Sequence, residues 1–170
     1  MAVSRYAEWR PAAAPDRYVA CLWVRETDGP RGHGQLIVPD GCVDLVWREE
    51  RLELVGPDRG PRTVRTGGGE TIAGVRLRPG AAGLLLGRAP VAEVCDRQVP
   101  LAEFHPDRAD RLAERLARAG GPADAARVLD RFVSRLLPGY RPSSASLNQA
   151  GARLCGCGAK SYGRWYSPGA

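Results

Sequence analysis

Between residues 18 and 78 the chain is written in short apolar runs, and turn residues close each run before it reaches the length of an ordinary helix. Tyr18-Val19-Ala20-Cys21-Leu22-Trp23-Val24 is β-branched and aromatic, and Asp28-Gly29-Pro30 stops it. Residues 35–38 form a second run. It ends at Pro39-Asp40-Gly41, where proline presets φ, aspartate caps locally and glycine accepts a positive φ. A third run covers 42–47, a charged hairpin loop follows at Arg48-Glu49-Glu50-Arg51, and residues 52–55 return ahead of the Gly56-Pro57-Asp58 turn. Residues 63–65 make a short strand and 71–78 a clear one. Strands this short, with turns between them, predict an antiparallel β-barrel or sandwich and exclude a parallel sheet with crossover helices. Residues 1–16 are rich in Pro and Ala without periodicity and read as a lead-in strap pinned by Tyr6 and Trp9.

The pattern changes after Pro79-Gly80. Residues 81–86 are apolar all round and read as a short buried helix; residues 90–105 look irregular, anchored by Val94, Val99, Leu101 and Phe104. Ala109, Leu112, Ala113, Leu116 and Ala117 then recur at helical spacing over 107–119, with Asp107 at the start and Glu114 four residues before Arg118. Gly120-Gly121 stops this helix, and Pro122 suits the first turn of a second one over 122–137. Its stripe is Ala125, Leu129, Phe132, Val133 and Leu136, with Arg127, Arg131 and Arg135 on another face. The predicted class is α+β: a β-rich unit at 1–105 and an αα-hairpin at 106–138, followed by a poorly ordered basic tail at 139–170.

The charge supports that division. Residues 1–140 hold 21 basic and 19 acidic residues, whereas 141–170 hold Arg141, Arg153, Lys160 and Arg164 and no acid. A nucleic-acid claim based on net charge would therefore rest on the tail alone. No apolar run reaches the roughly 18 residues of a membrane span, and the N-terminus lacks a secretory pattern. The expected address is cytoplasmic, with no membrane partner. The five cysteines, Cys21, Cys42, Cys95, Cys155 and Cys157, are odd in number and irregularly spaced, and the first three read as small buried hydrophobes.

Little reactive chemistry is written in the chain. Its two histidines, His33 in a Gly-rich loop and His105 before Pro106, form no ligand cluster with carboxylates, so no metal, no cofactor and no catalytic residue is expected. Gly67-Gly68-Gly69-Glu70-Thr71 lacks the lysine and the helix of a phosphate loop and reads as a flexible hairpin loop. Cys155-Gly156-Cys157 lacks the spacing and the further ligands of a zinc site.

Two segments stand apart: Pro39-Asp40-Gly41-Cys42-Val43-Asp44-Leu45-Val46-Trp47 and Gly74-Val75-Arg76-Leu77-Arg78-Pro79-Gly80. Alternation places Val43, Leu45 and Trp47 on one face and Cys42, Asp44 and Val46 on the other; Val75 and Leu77 oppose Arg76 and Arg78. Asp44 and Arg76 each interrupt an apolar strand. They are either two solvent-facing charges, or a mutual ion pair inside or at the mouth of the barrel, or a contact for a small ligand. Together with Trp23 and Trp47 they are the residues assigned to ligand binding or to organising the barrel.

The order of Pro-Asp-Gly-Cys-Val-Asp-Leu-Val at 39–46, Gly-Pro at 56–57, Gly-Val-Arg-Leu-Arg-Pro-Gly at 74–80 and Val99-Pro100-Leu101 resembles the N-terminal domain of one group of bacterial AraC-type transcription regulators, over about residues 10–138. The resemblance implies a cupin-like fold that senses a small-molecule effector or mediates dimerisation through its flanking helices. DNA is then read by a separate domain with two helix-turn-helix units. Residues 139–170 cannot hold those units, and a truncated or frameshifted reading frame would account for that and for the missing acids. The expectation is a ligand-sensing and dimerisation domain, not an enzyme. A homodimer would bury Leu112, Leu116, Leu129, Phe132 and Leu136 partly against a partner; alternatively this stripe packs entirely on its own β unit. Two other readings are a metal-independent cupin-like enzyme using Asp44 with Glu53, and a module that heterodimerises with full-length regulators.

Overall fold

The computed structural model describes residues 4–30 and 32–139. In chain order these form β1 (Ser4–Trp9), β2 (Val19–Thr27), β3 (His33–Ile37), β4 (Val43–Arg48), β5 (Arg51–Val55), β6 (Arg62–Thr66), β7 (Thr71–Leu77), α1 (Gly83–Leu86), β8 (Gln98–Pro100), α2 (Pro106–Ala117) and α3 (Pro122–Leu136), with short 3-10 turns between them. The class is α+β, and every strand pair is antiparallel. Six strands pair in the order β1-β2-β7-β4-β5-β8, and β3 pairs with β6 alone. This is the sandwich form of the expected architecture; the described strands do not close into a barrel.

The two sheets are sections of one bent ribbon. β2 pairs with β7 as far as Glu26 opposite Thr71; beyond the corner, His33 of β3 lies opposite Thr66 of β6. Backbone bonds hold the corner, from Thr27 N–H to the Glu70 carbonyl at 2.9 Å and from Gly69 N–H to the Thr27 carbonyl at 2.7 Å. The chain passes so close to itself that a Cβ on Gly68 would lie 2.2 Å from the Gly29 carbonyl oxygen. The buried Glu70 carboxylate accepts the Gly67 N–H and pairs with Arg48 of β4. The segment expected to be a flexible hairpin loop is thus a pinned corner where the chain passes from the ribbon to the large sheet. The true hairpin is β4–β5. Its turn residues Glu49 and Glu50 both take a positive φ, the geometry that matches the right-handed twist of the flanking strands.

One face of the large sheet makes the main core. Register aligns Leu22, Val75, Leu45, Leu54 and Val99 in one row across five strands, and all five are buried. Helix α3 lies across β2 and β7 and buries Ala125, Leu129, Phe132, Val133 and Leu136 against this face. Leu112 and Leu116 of α2 enter the same core. Of the two expectations for the helical stripe, the described residues fit packing on its own β unit: Leu112, Leu116, Leu129, Phe132 and Leu136 are each at most 8% exposed within a single chain.

Two elements were not legible. Residues read as a strap contain β1, which pairs with β2 along its length, and the region read as irregular contains β8, which extends the sheet beside β5. The strap proper, 10–18, is held by a buried charge on α3. Asp130 is 2% exposed and accepts the backbone N–H groups of Ala12, Ala13 and Ala14 at 2.9, 2.8 and 3.0 Å. Three donors satisfy the carboxylate as a helix N-terminus would, which is what makes its burial tolerable. The expectation for the tail, residues 140–170, lies outside the described residues. Asp130→Ala should strand these donors and lower stability by about 2–4 kcal/mol, read as a shift of the urea midpoint; an unchanged midpoint would show that water replaces the carboxylate freely.

Candidate functional site

The opposite face of the large sheet carries the polar and aromatic residues. Asp44 of β4 and Cys21 of β2 both stand opposite Arg76 of β7, so the three form one row across adjacent strands. The Arg76 guanidinium grips the Asp44 carboxylate with two bonds, Nε to Oδ1 and Nη2 to Oδ2, both 3.0 Å. This fork geometry matches a carboxylate in the way a lysine cannot. Asp40 adds a second carboxylate at 3.6 Å from Nη1. The Asp44 charge holds Arg76 protonated well above arginine's ordinary range, against the desolvation that acts the other way. The side chains of Arg76 and Asp44 are 22% and 16% exposed, so the pair lies near the surface of a partly covered face.

Trp23 provides the floor. It lies opposite Gly74, and a Cβ there would be 2.3 Å from the indole Cε2. A glycine in the middle of a central strand is what allows the ring to lie flat across β7. From this position the indole Nε1–H donates to Asp44 Oδ1 at 3.4 Å. Tyr6 of β1 leans on Trp23 with ring centroids 6.2 Å apart, and the Arg25 guanidinium sits 5.4 Å above the Tyr6 ring. Val46 and Ile72 complete the apolar part of the cluster.

The Pro39-Asp40-Gly41 turn behaves as its residues dictate. Asp40 Oδ1 accepts the Cys42 N–H at 2.9 Å, and Gly41 has φ +73°. Asp40 thus ties the turn to Arg76. Burial pushes the Cys21 thiol up to about 12, with Arg76 opposing and Glu8 reinforcing. Burial also raises Cys42, helped by the Asp40 and Asp44 carboxylates. Both thiols are therefore protonated at neutral pH, the form that does not attack or bind metal.

The structure brings together Trp23, Asp44 and Arg76 and leaves Trp47 out. Trp47 has the other parity on β4 and packs with the main core beneath the helices. Glu53 shares the face of Asp44 but stands opposite Val46, two positions along. His33 begins β3, whereas His105 precedes α2 and bonds the Leu85 carbonyl through Nε2 at 2.8 Å. Among the described residues no three His, Cys, Asp or Glu side chains converge as metal ligands would. Sequence reasoning missed Tyr6 and Arg25, which depend on the unforeseen β1. It also missed the role of Gly74, whose place inside an apolar strand is itself a sign of close approach.

A family model described as a domain of unknown function (DUF6597) matches residues 7–100, which run from β1 to β8 and include the whole cluster apart from Tyr6. No curated protein and no solved structure matches the chain.

Two outcomes test this geometry. Asp44→Ala leaves a half-buried guanidinium with only the more distant Asp40. It should cost about 2 kcal/mol, below the 3–5 typical of a fully buried pair because solvent reaches this one. Replacing both partners, Asp44→Ala with Arg76→Leu, should cost less than Asp44→Ala alone in urea titrations. Losses that simply add would show that the two side chains are not coupled. Gly74→Ala should displace the indole, change the near-ultraviolet circular dichroism and cost about 1–3 kcal/mol; an unaltered aromatic spectrum would contradict the placement of Trp23.

Proposed function

The chain belongs to the DUF6597 family, and we propose that it is a ligand-sensing domain of an AraC-like transcription regulator whose effector rests on the Trp23, Arg76 and Asp44 face. One observation carries the reading. Two of the segments that carry the resemblance to those regulators, 39–46 and 74–80, lie on adjacent strands, and Asp44 and Arg76 from them meet in one ion pair beside an indole. That arrangement suits recognition more than reaction. Arg76 and Trp23 engage the Asp44 carboxylate, and neither thiol is ionised.

The fold also holds unused polar capacity. Thr27, on the same parity as Trp23 and Arg25 along β2, is 2% exposed, and its hydroxyl has no hydrogen-bond partner among the described residues; Gln35 Oε1, on β3 of the smaller sheet, is likewise unpartnered among them. Buried polar atoms of this kind are satisfied by water or by a bound molecule. With Arg76 balanced by Asp44 and Asp40, the effector class is a small neutral amphipathic molecule with an aromatic or apolar body. In this reading DNA contact belongs to a helix-turn-helix domain other than residues 4–139, and the protein works in the cytoplasm. No helix among the described residues is long and apolar enough to cross a membrane. Coupling would act through differential affinity of the effector for two arrangements of sheet and helices, with α3 lying directly on β2 and β7.

The test is a thermal-shift titration of the full chain with neutral amphipaths such as benzamide, indole and cyclohexanol. At least one should raise the melting temperature, and Trp23→Phe or Arg76→Gln should remove the response. If none shifts the wild-type protein, or if both variants respond as it does, the sensing face is misassigned.

A further inference from the structure

A concavity lies on the helical side of the molecule, separated from the proposed effector face by the sheet. It is an open groove of about 910 Å³ between α1, the start of α2 and the end of α3, within the size range of small-molecule sites. Its apolar wall is Leu84, Phe104 and Leu136. Its rim carries Arg88, Arg108 and Arg135 against one acid, Asp107. This local imbalance stands out because basic and acidic residues nearly cancel over 1–140, at 21 and 19.

The three guanidiniums make no ion pair or side-chain hydrogen bond among the described residues, whereas Arg5, Arg10, Arg48, Arg59, Arg62 and Arg76 all pair with carboxylates. The chain beyond residue 140 offers no acidic side chain to neutralise them. His105 lines the same groove, its ring oriented by the Leu85 carbonyl and set edge-on to Phe132 at 6.1 Å. Burial lowers the His105 pKa, and the nearby Arg108 charge acts in the same direction. An anion in the groove would relieve that repulsion.

We propose that this groove is a second binding site, for a small organic anion whose phosphate or carboxylate head is gripped by Arg88, Arg108 and Arg135 and whose apolar body lies on Leu84, Phe104 and Leu136. The head satisfies guanidiniums that have no ion-pair partner among the described residues, and the apolar body distinguishes such a ligand from inorganic phosphate. Three cations against one acid, beside an apolar wall, favour an amphipathic anion over a neutral one.

Calorimetric titration of the full chain with octyl phosphate, octanoate, inorganic phosphate and octanol tests the assignment. Octyl phosphate or octanoate should bind, and whichever is tighter identifies the head group. Inorganic phosphate and octanol should each bind at least about ten-fold more weakly, since each lacks one half of the recognition. Arg108→Gln and Arg135→Gln, both at exposed positions that leave the core intact, should each weaken binding about ten-fold, and Trp23→Phe should leave it unchanged. Octanol binding as tightly as the anions, unaltered binding by both glutamine variants, or no heat from any alkyl anion would overturn the proposal. A random-sequence DNA duplex that binds through the same arginines while the alkyl anions do not would also overturn it, and would reassign the groove to the phosphate backbone.

Discussion

A guanidinium on a central strand of a six-stranded sheet needs a counter-charge held at fixed geometry, and much of the described face follows from how Arg76 obtains one. Its partner Asp44 lies directly across from it on β4, so the ion pair is also a statement of register: a slip of one residue would turn Asp44 into the apolar core and leave Arg76 facing Leu45 or Val43. Asp40 brings the preceding turn to the same guanidinium, and the Trp23 indole completes the hydrogen bonding of Asp44. Because all of these groups need one face, the middle of the other face is free to be apolar and to receive the helices.

That division explains what could be read from the residues alone. Alternation on β4 and β7 was enough to separate Val43, Leu45, Val75 and Leu77 from Asp44 and Arg76, and the helical stripes were periodic enough to reveal α2 and α3. Other features leave no such trace. β1 is Ser-Arg-Tyr-Ala-Glu-Trp, an edge strand whose polar residues carry no clear alternation, and it is recognisable only through its pairing with β2. β8 is three residues long. Trp47 was assigned to the site with Trp23, although alternation along β4 already places it with Val43 and Leu45 on the core face. Asp130 lies within an apolar stripe, where a carboxylate has no local explanation; its three donors are 116 to 118 residues distant in sequence.

The helices and the polar face sit on opposite sides of a sheet only one residue thick. α3 packs on β2 and β7, the strands that carry Trp23, Cys21, Gly74 and Arg76 on their other side. A shift of the ribbon on one face therefore bears on the helical layer through the same two strands, without any intervening element. The family match runs from residue 7 to residue 100, so β2 to β8 and the polar face apart from Tyr6 fall within it while α2 and α3 follow it.

The bent ribbon also determines how the chain must find its structure. Partners in it are far apart along the backbone: Val19 meets Leu77 and His33 meets Thr66, while only β4 and β5 join through an immediate turn. Closing such loops loses chain entropy before any distant pair rewards it, so topology of this kind assembles slowly for its size. The β4–β5 hairpin has the shortest connection of any strand pair among the described residues, and β2 joins the same sheet as β4 only through β7, which lies between them. The order of events is thus written in the strand order itself, outward from the middle of the sequence to its two ends.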